Sequence, residues 1–499
     1  MKLKRACVVI NPHAGQNVTK IADLIAVLSA AGWSTEIAIK EYGGHSMELA
    51  ARAAKANYDL VIGYGGDGTV HQVLNGVMTT RKRSSTIGVI PGGTVNVWAA
   101  EIGVPNDPVQ AALTLCNSEA RKVDIGHIEV QGLSFPGTSQ DNEEQRREKK
   151  RKQLHNRVVK VTTKANQHFL LMASLGFDAA VMEHVSKDLK YRVGRLAVGL
   201  SGAEELHKQH PFPIEIRVGG TKQEEEKVWK GEAFQVIVGN TRRYGVPVQF
   251  TPNAYLDSGL LEVCVIKAGN TLTTLEQIAS LLFRHRPDNA TAEYFDGASI
   301  TISVPASIAL QLDGSPTRLK DYLNKSDRDA LQSAENADQV MVTYRFDAMP
   351  RAVQVAIPST YDGALFEKPL AEEKPKVPSH KQKAEGHPQQ DLGHVEEVQH
   401  ESQEQIATLL ADGHQVTVKG VASQSQKQHT YIIAGAVPHQ MTGDTTPVAL
   451  CVDESVTISR HSGEQVSIEM IQELQEGSKI VAMGKKNKYG VIRATRVVI

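Results

Sequence analysis

The sequence predicts an α/β N-terminal domain on a parallel sheet, a mostly β second domain of sandwich type, and a separate small all-β domain at the C-terminal end. Three features of the 499-residue chain carry this reading. Short apolar runs alternate with helix-length segments through the first third. From Arg121 the texture changes to strand-like runs separated by turns. Between Tyr361 and Glu401 the chain is rich in Lys, Glu, Pro, His and Gln and poor in apolar residues, which sets the remainder apart.

The elements follow in order. Ala6–Ile10 is an apolar run ended by Asn11-Pro12, and Ile21–Ala31 has helical apolar spacing. Thr35–Ile39 alternates like a strand, Met47–Ala56 reads as an Ala-rich helix, and Asp59–Tyr64 is a buried strand ending in glycines. Val70–Met78 is helical, Thr86–Ile90 is a strand, and Val95–Ile102 is a helix closed by Gly103-Val104-Pro105. In the second domain Val158–Thr162, Phe169–Ala173, Pro213–Val218, Ala233–Gly239, Leu260–Ile266, Ser299–Val304 and Ala306–Leu312 read as strands, with a helix near Tyr191–His207. After the linker, a helix at Glu404–Leu410 precedes five β-like runs: Gln415–Val421, Thr430–Ala436, Val448–Ile458, Ser478–Met483 and Tyr489–Ile499. Five short strands suggest a small barrel, and the oligonucleotide/oligosaccharide-binding (OB) type is the candidate.

Charge and cysteine usage exclude several classes. Lys+Arg (55) and Asp+Glu (56) nearly cancel, so no whole-chain basic signature exists and no nucleic-acid partner is expected. The basic run inside Ser139–Asn156 contains acidic residues and no aromatics, which favours a solvated insert over a contact with anionic head groups. Cys7, Cys116, Cys264 and Cys451 are scattered, with no C-x-x-C pair, which argues against a disulfide scaffold or a zinc site. The N-terminal apolar run is too short for a signal peptide, and no stretch reaches the length of a membrane span. A cytoplasmic protein is expected.

The chemistry is written in two glycine turns. The strand Asp59–Tyr64 runs into Gly65-Gly66-Asp67-Gly68-Thr69, and a helix follows. Phosphates need close approach to backbone N–H groups, glycine permits positive φ, and a helix N-terminus adds donors. Asp67 is placed to hold Mg²⁺ against phosphates, and Thr69 to cap the helix or donate to a phosphate. The second turn, Pro91-Gly92-Gly93-Thr94-Val95-Asn96, also lies between a strand and a helix, so the loops should converge on one crevice. Gly93, Thr94 and Asn96 are its candidate nucleotide contacts.

With Asn11-Pro12-His13-Ala14-Gly15, Leu175-Gly176-Phe177-Asp178-Ala179, Pro252-Asn253-Ala254, Leu260-Leu261-Glu262-Val263, Leu312-Asp313-Gly314 and Arg351–Pro358 added in order, the first 358 residues resemble the bacterial diacylglycerol kinase catalytic family of lipid kinases. The GGDGT loop alone is shared with NAD kinases and 6-phosphofructokinases, and the later motifs point to the lipid branch. The resemblance implies an NAD kinase/diacylglycerol kinase-like nucleotide domain at 1–125 and a substrate-binding sandwich at 126–340, with an insert at about 136–157. It also implies a closing strand at 341–358 that returns to the first domain. A linker at 361–401 and the C-terminal domain at 402–499 fall outside it. ATP and Mg²⁺ are the implied cofactors, with transfer of the γ-phosphoryl to the primary hydroxyl of diacylglycerol or a related lipid alcohol at the inner face of the membrane.

Departures from the family pattern bear on the site. Val97 follows Asn96 where the family usually has Asp, and Ser315 stands where it has the Glu that serves as general base. Asp313, two residues earlier, is the replacement candidate for hydroxyl activation, on the expectation that both lie on a strand and face one side. Asp67 is the second candidate. The family's structural Mg²⁺ turn reads Leu256-Asp257-Ser258-Gly259 here, leaving Asp257 as the candidate ligand, and Lys40 stands near the position of an upstream phosphate-contacting Thr. Two alternatives stay open: a nucleotide- or lipid-binding regulator with weakened turnover, and a soluble-substrate kinase related to NAD kinase. Thr273–Arg286, amphipathic with a basic end, reads as a helix packed on the sandwich rather than a membrane contact.

Overall fold

The structure is a computed structural model. It describes residues 4–14, 19–80, 84–135, 167–176, 210–219, 227–243, 248–268, 287, 291–334, 337–367, 403–425, 429–438 and 445–499. The expected insert, the strand at 158–162, the helix at 191–207, residues 368–401 of the linker and the amphipathic stretch at 273–286 lie outside them, whereas residues 361–367, expected to open the linker, pack on the first unit, with Leu365 buried and its carbonyl accepting Leu256 N at 2.8 Å. The chain divides into two compact units, Met1–Glu367 and Lys368–Ile499.

The first unit opens with β1 (Lys4–Ile10), α1 (Ile21–Ala30), β2 (Trp33–Ile39), α2 (His45–Lys55), β3 (Leu60–Gly65), α3 (Asp67–Met78), β4 (Thr86–Pro91), α4 (Val97–Glu101) and α5 (Pro108–Cys116). The four strands form a parallel sheet in the order β4-β3-β1-β2. β3 is wholly buried, which is why its sequence is an unbroken run rather than an alternation. Helix α3 begins at Asp67, earlier than predicted, because the Gly66 carbonyl already accepts from Thr69 N (2.8 Å) and Val70 N (3.3 Å). Helix α5 has no counterpart in the sequence reading, yet its start signal is present. Pro108 occupies the first turn, and the Asp107 carboxylate accepts Val109 N and Gln110 N, both at 2.9 Å.

The β part of this unit contains β5 (Ser118–Ser134), β6 (His168–Phe169), β7 (Met172–Gly176), β8 (Phe212–Val218), β9 (Lys227–Gly239), β10 (Leu261–Lys267), β11 (Ala292–Gly297), β12 (Ser299–Pro305), β13 (Leu310–Leu312), β14 (Ser315–Thr317), α6 (Lys325–Gln332) and β15 (Met341–Pro358). Alternate residues such as Ile214 and Ile216 of β8, Ile300 and Ile302 of β12, and Tyr344 and Phe346 of β15 point into one core with Phe169. Each such side chain contributes about 1.5–3 kcal/mol by burial. β15 joins the two halves. It pairs antiparallel with β5 and β12, and parallel with β4 through Gln354↔Thr86 and Val355↔Ile87.

The second unit has α7 (Gln403–Asp412), β16 (His414–Ser425), β17 (Thr430–Pro438), β18 (Thr445–Val452), β19 (Thr457–Ser459), β20 (Lys479–Lys486) and β21 (Val491–Val498). The predicted single run Val448–Ile458 is split into β18 and β19 by a turn in which Asp453 Oδ1 accepts Ser455 N at 2.9 Å. The order β18-β17-β16-β20-β21 closes on itself, because β21 also pairs parallel with β18. Counted from β16, this five-strand barrel has the strand order 1-2-3-5-4-1 of the OB type. Val416, Ile433, Leu450 and Ile492 fill its own core. Among the described residues no helix is long and apolar enough to cross a membrane.

Candidate active site

The two glycine loops meet backbone to backbone. A Cβ on Gly93 would lie 2.5 Å from Gly66 Cα, and one on Gly65 would lie 2.4 Å from Thr69 Oγ1. Neither Gly66 nor Gly93 has positive φ. These glycines therefore serve close approach, and the expectation that they supply left-handed backbone is corrected. The Gly65 carbonyl accepts Gly92 N at 3.0 Å, which ties the loops at their base.

Asp67 fastens the same junction. Its Oδ2 accepts Val97 N and its Oδ1 accepts Trp98 N, both at 3.0 Å, so its carboxylate caps α4 from the neighbouring loop. Asn96 sits left-handed at φ 53° just before α4, a conformation Asn tolerates. Its Oδ1 accepts Gly93 N (2.9 Å), and its Nδ2 donates to the Gly93 carbonyl (3.0 Å) and to Asn106 Oδ1 (3.2 Å). Asn96 is thus the buried brace of the second loop and holds the position before α4. Thr94 and Gly68 are the exposed members of the two loops, while Thr69 is buried.

Ser315 reaches this cleft from the β half. The nearest heavy atom to a Cβ on Gly68 would be Ser315 Oγ, at 3.5 Å. Asp313 and Gly314, at φ 47° and 73°, form the two-residue turn between β13 and β14, across which Leu312 pairs with Ser315. Asp-Gly is the preferred pair for such a turn. The expectation that Asp313 and Ser315 share one face of a strand is therefore wrong. Asp313 turns inward: its Oδ2 accepts Leu170 N (2.8 Å), and its Oδ1 accepts Leu171 N (2.8 Å) and Met172 N (3.0 Å). It is 4% exposed. Burial pushes its carboxyl up from the ordinary value, and His71 and the three N–H donors pull against that. Its proposed part as an open base is corrected to that of a buried brace.

The helix that starts at the phosphate loop holds the same segment from the other side. His71 Nε2 donates to the His168 carbonyl at 3.0 Å. Asn75 Nδ2 donates to that carbonyl at 2.9 Å, and Asn75 Oδ1 accepts Gln167 N and His168 N, both at 3.1 Å. Spacing of i and i+4 places both side chains on one face of α3. That spacing is visible in DGTVHQVLNG and could have flagged them. Burial lowers the His71 pKa, and the nearby Asp313 carboxylate pulls against that. Residues 167–172 are thus clasped between α3 and the 313–315 turn, and this clasp presents Ser315 to Gly68.

Asp257 does not stand as a free ligand. Its Oδ2 lies 3.6 Å from Arg121 Nη2, and its Oδ1 accepts Glu367 N at 2.7 Å. The Arg121 guanidinium in turn stacks on Phe366. The cation beside its carboxylate in this structure is thus the Arg121 guanidinium. Among the described residues no group of three or more His, Cys, Asp or Glu could hold a metal ion. At the end of α4, buried Glu101 accepts Arg243 N at 2.5 Å and lies 3.7 Å from Arg243 Nε, and burial raises its pKa. Lys40 donates its backbone N–H to the Ile10 carbonyl, as a parallel-sheet residue beyond β2. An open cavity of about 820 Å³ is lined by Ser84, Lys122 and residues 348–354 and by none of the glycine-loop residues, so it is separate from this cleft.

Residues 5–128 match the diacylglycerol kinase catalytic domain, and residues 172–319 match the YegS C-terminal NAD kinase beta sandwich-like domain. The chain is 27% identical over 316 residues to a diacylglycerol kinase of Bacillus subtilis (strain 168), covering 62% of this chain and 90% of that protein. It is 27% identical over 314 residues to a diacylglycerol kinase of Staphylococcus aureus (strain JH9), covering 62% and 86%. A crystal structure of a candidate diacylglycerol kinase from Bacillus anthracis str. Sterne superposes with a TM-score of 0.52 at 21% identity, covering 72% of this chain and 97% of that one. That likeness concerns the fold.

Proposed function

From a chain whose residues 5–128 match the diacylglycerol kinase catalytic domain and whose residues 172–319 match the sandwich-like domain, we propose an ATP-dependent lipid kinase that phosphorylates the primary hydroxyl of diacylglycerol or a related lipid alcohol. The observation that carries the reading is the juxtaposition of Ser315 with Gly68, which sets a residue of the β half against the phosphate loop of the nucleotide half. The N–H groups of residues 66–68, at the start of a twelve-residue helix, and those of Thr94 and Val95 offer an anion cradle, while those of Thr69, Gly92 and Gly93 are taken up in holding the loops. Thr94 adds an exposed hydroxyl. The acceptor hydroxyl would enter beside Ser315, in line with the terminal phosphoryl.

Mg²⁺ on nucleotide phosphates needs only one or two protein carboxylates, and Asp67, at the junction of the loops, would offer it the lone pair that each oxygen keeps beyond its bond to Val97 N or Trp98 N. Bound there, it would neutralise charge on the transferred phosphoryl. Ser315 cannot serve as a base near neutral pH, and Asp313 is sealed. A loose phosphoryl transition state asks mainly for positioning and charge neutralisation, which the two loops provide. Turnover slower than in a relative with Glu at position 315 is the consequence. A nucleotide- or lipid-binding regulator is the second reading, favoured by the same serine and the same sealed carboxylate.

Purified protein with labelled ATP, Mg²⁺ and lipid alcohols in detergent micelles tests the proposal, beside an Asp67→Ala control. Labelled phospholipid supports it. Nucleotide binding with no lipid product supports the regulator, and Ser315→Glu is then expected to raise turnover by about 10²-fold or more if a missing base is the reason. Phosphorylation of NAD in place of lipid would favour a soluble-substrate kinase.

A further inference from the structure

The C-terminal barrel carries a charge pattern that its fold does not need. From Lys479 to Ile499 there are six cations and no Asp or Glu, whereas the charged residues of Asp444 to Glu476 are seven acids and one Arg. The cations gather at the β20–β21 hairpin. Lys485, Lys486, Lys488 and Arg493 are all exposed, and Lys485 lies directly opposite Arg493 in the pairing register. Like charges so placed destabilise a strand pair. None of the three lysines forms an ion pair among the described residues.

At the tip stands Tyr489, 50% exposed, with Lys488 Nζ 5.0 Å from its ring centroid. The turn beneath it is fixed in advance. Asn487 Oδ1 accepts Tyr489 N (2.9 Å) and Val491 N (3.0 Å), Gly490 N donates to the Asn487 carbonyl (3.1 Å), and Gly490 takes φ 80°. A rigid tip keeps the ordering cost of a contact low.

The chemistry of the tip chooses between two anionic partners. A single-stranded nucleic acid tracks a groove with successive aromatic platforms. Here the strands that would form that platform, β17 and β18, expose no aromatic ring, and Tyr431, the other tyrosine of the barrel, is 2% exposed. One ring among lysines on a projecting turn suits a flat interface instead, with the phenol at head-group level and the ammonium groups on anionic lipid. We propose that the β20–β21 hairpin docks this chain on anionic bilayers. The kinase reading gives that contact a purpose, and the binding itself does not depend on it.

The test uses the full chain and sedimentation with phosphatidylcholine vesicles containing about a third phosphatidylglycerol, without diacylglycerol or nucleotide. Binding is expected to the anionic vesicles, to weaken with salt, and to be absent with pure phosphatidylcholine. The triple variant Lys485→Gln, Lys486→Gln, Lys488→Gln should lose on the order of 100-fold in partitioning, a factor of about five per lysine. Its turnover in neutral micelles and its unfolding midpoint should match the parent, since all three side chains are exposed. Equal vesicle binding by parent and variant would overturn the proposal. So would binding of a labelled single-stranded oligonucleotide through these lysines with no binding to vesicles. Lipid docking in a chain without kinase activity would leave this inference standing and remove the kinase reading.

Discussion

Asp313→Asn separates a brace from a base. The buried carboxylate accepts three backbone N–H groups. An amide has one acceptor oxygen, so if that oxygen keeps Leu171 and Met172, its NH₂ faces the Leu170 N–H, donor against donor. One buried N–H left unpaired costs about 1–3 kcal/mol, and the two remaining bonds lose their charge assistance. Relief of a buried charge offsets part of this, leaving about 2–3 kcal/mol net. At roughly 2 cal/mol/K per residue for a unit of this size, that is a Tm shift of about 3–4 °C. All three tryptophans, Trp33, Trp98 and Trp229, lie in the first unit, so intrinsic fluorescence in a urea titration reports on it alone. The brace predicts a lower midpoint with turnover of the folded enzyme reduced by no more than about tenfold. General bases contribute about 10²–10⁴-fold. An unchanged midpoint with turnover lost on that scale would refute the reasoning.

Gly93→Ala should drive the two loops apart, because the new Cβ meets Gly66 Cα at 2.5 Å. A stability loss of about 1–3 kcal/mol and at least a tenfold loss of ATP affinity by calorimetry are expected, whereas Gly68→Ala meets only an ordinary contact with Ser315 and should leave the fold intact. For His71 the folded pKa lies below its ordinary value of 6.5 because the ring is buried. Its contribution to stability is therefore complete above about pH 6.5 and is lost as pH falls through the folded value. Unfolding free energy measured across that window should decline, and His71→Gln should flatten the decline.

The nucleotide half was legible because each signal there is local. A parallel sheet covered on both faces writes continuous apolar strands, and glycines mark where the loops touch. Helix α5 was equally legible in Asp107-Pro108, a cap signal that a reading led by apolar spacing passes over. β5 was harder: its opening residues, Ser118-Glu119-Ala120-Arg121-Lys122, are polar, and it is a strand because β15 pairs along its length. Position was the weaker part of the site reading. The sequence names Asp67, Asn96, Asp257 and Asp313 but not their partners, and all four turn out to bond residues beyond their own turn or loop. Asp313-Gly314 was misjudged for a physical reason. The pair is the strongest short hairpin signal, and treating it as strand gave Asp313 the wrong face.

The single strand β15 has a consequence for how the chain is made. Thr86 and Ile87 of β4 take their outer sheet partner from Gln354 and Val355. Until those residues leave the ribosome, β4 is an open edge, a row of unpaired backbone groups inviting the wrong neighbour. Closing so long a loop is slow and gains nothing until the last contact forms. The nucleotide half cannot finish before the β half has been synthesised, so the two mature together. Release of a chain shortened before Gln354 would yield an aggregating product rather than a smaller working one.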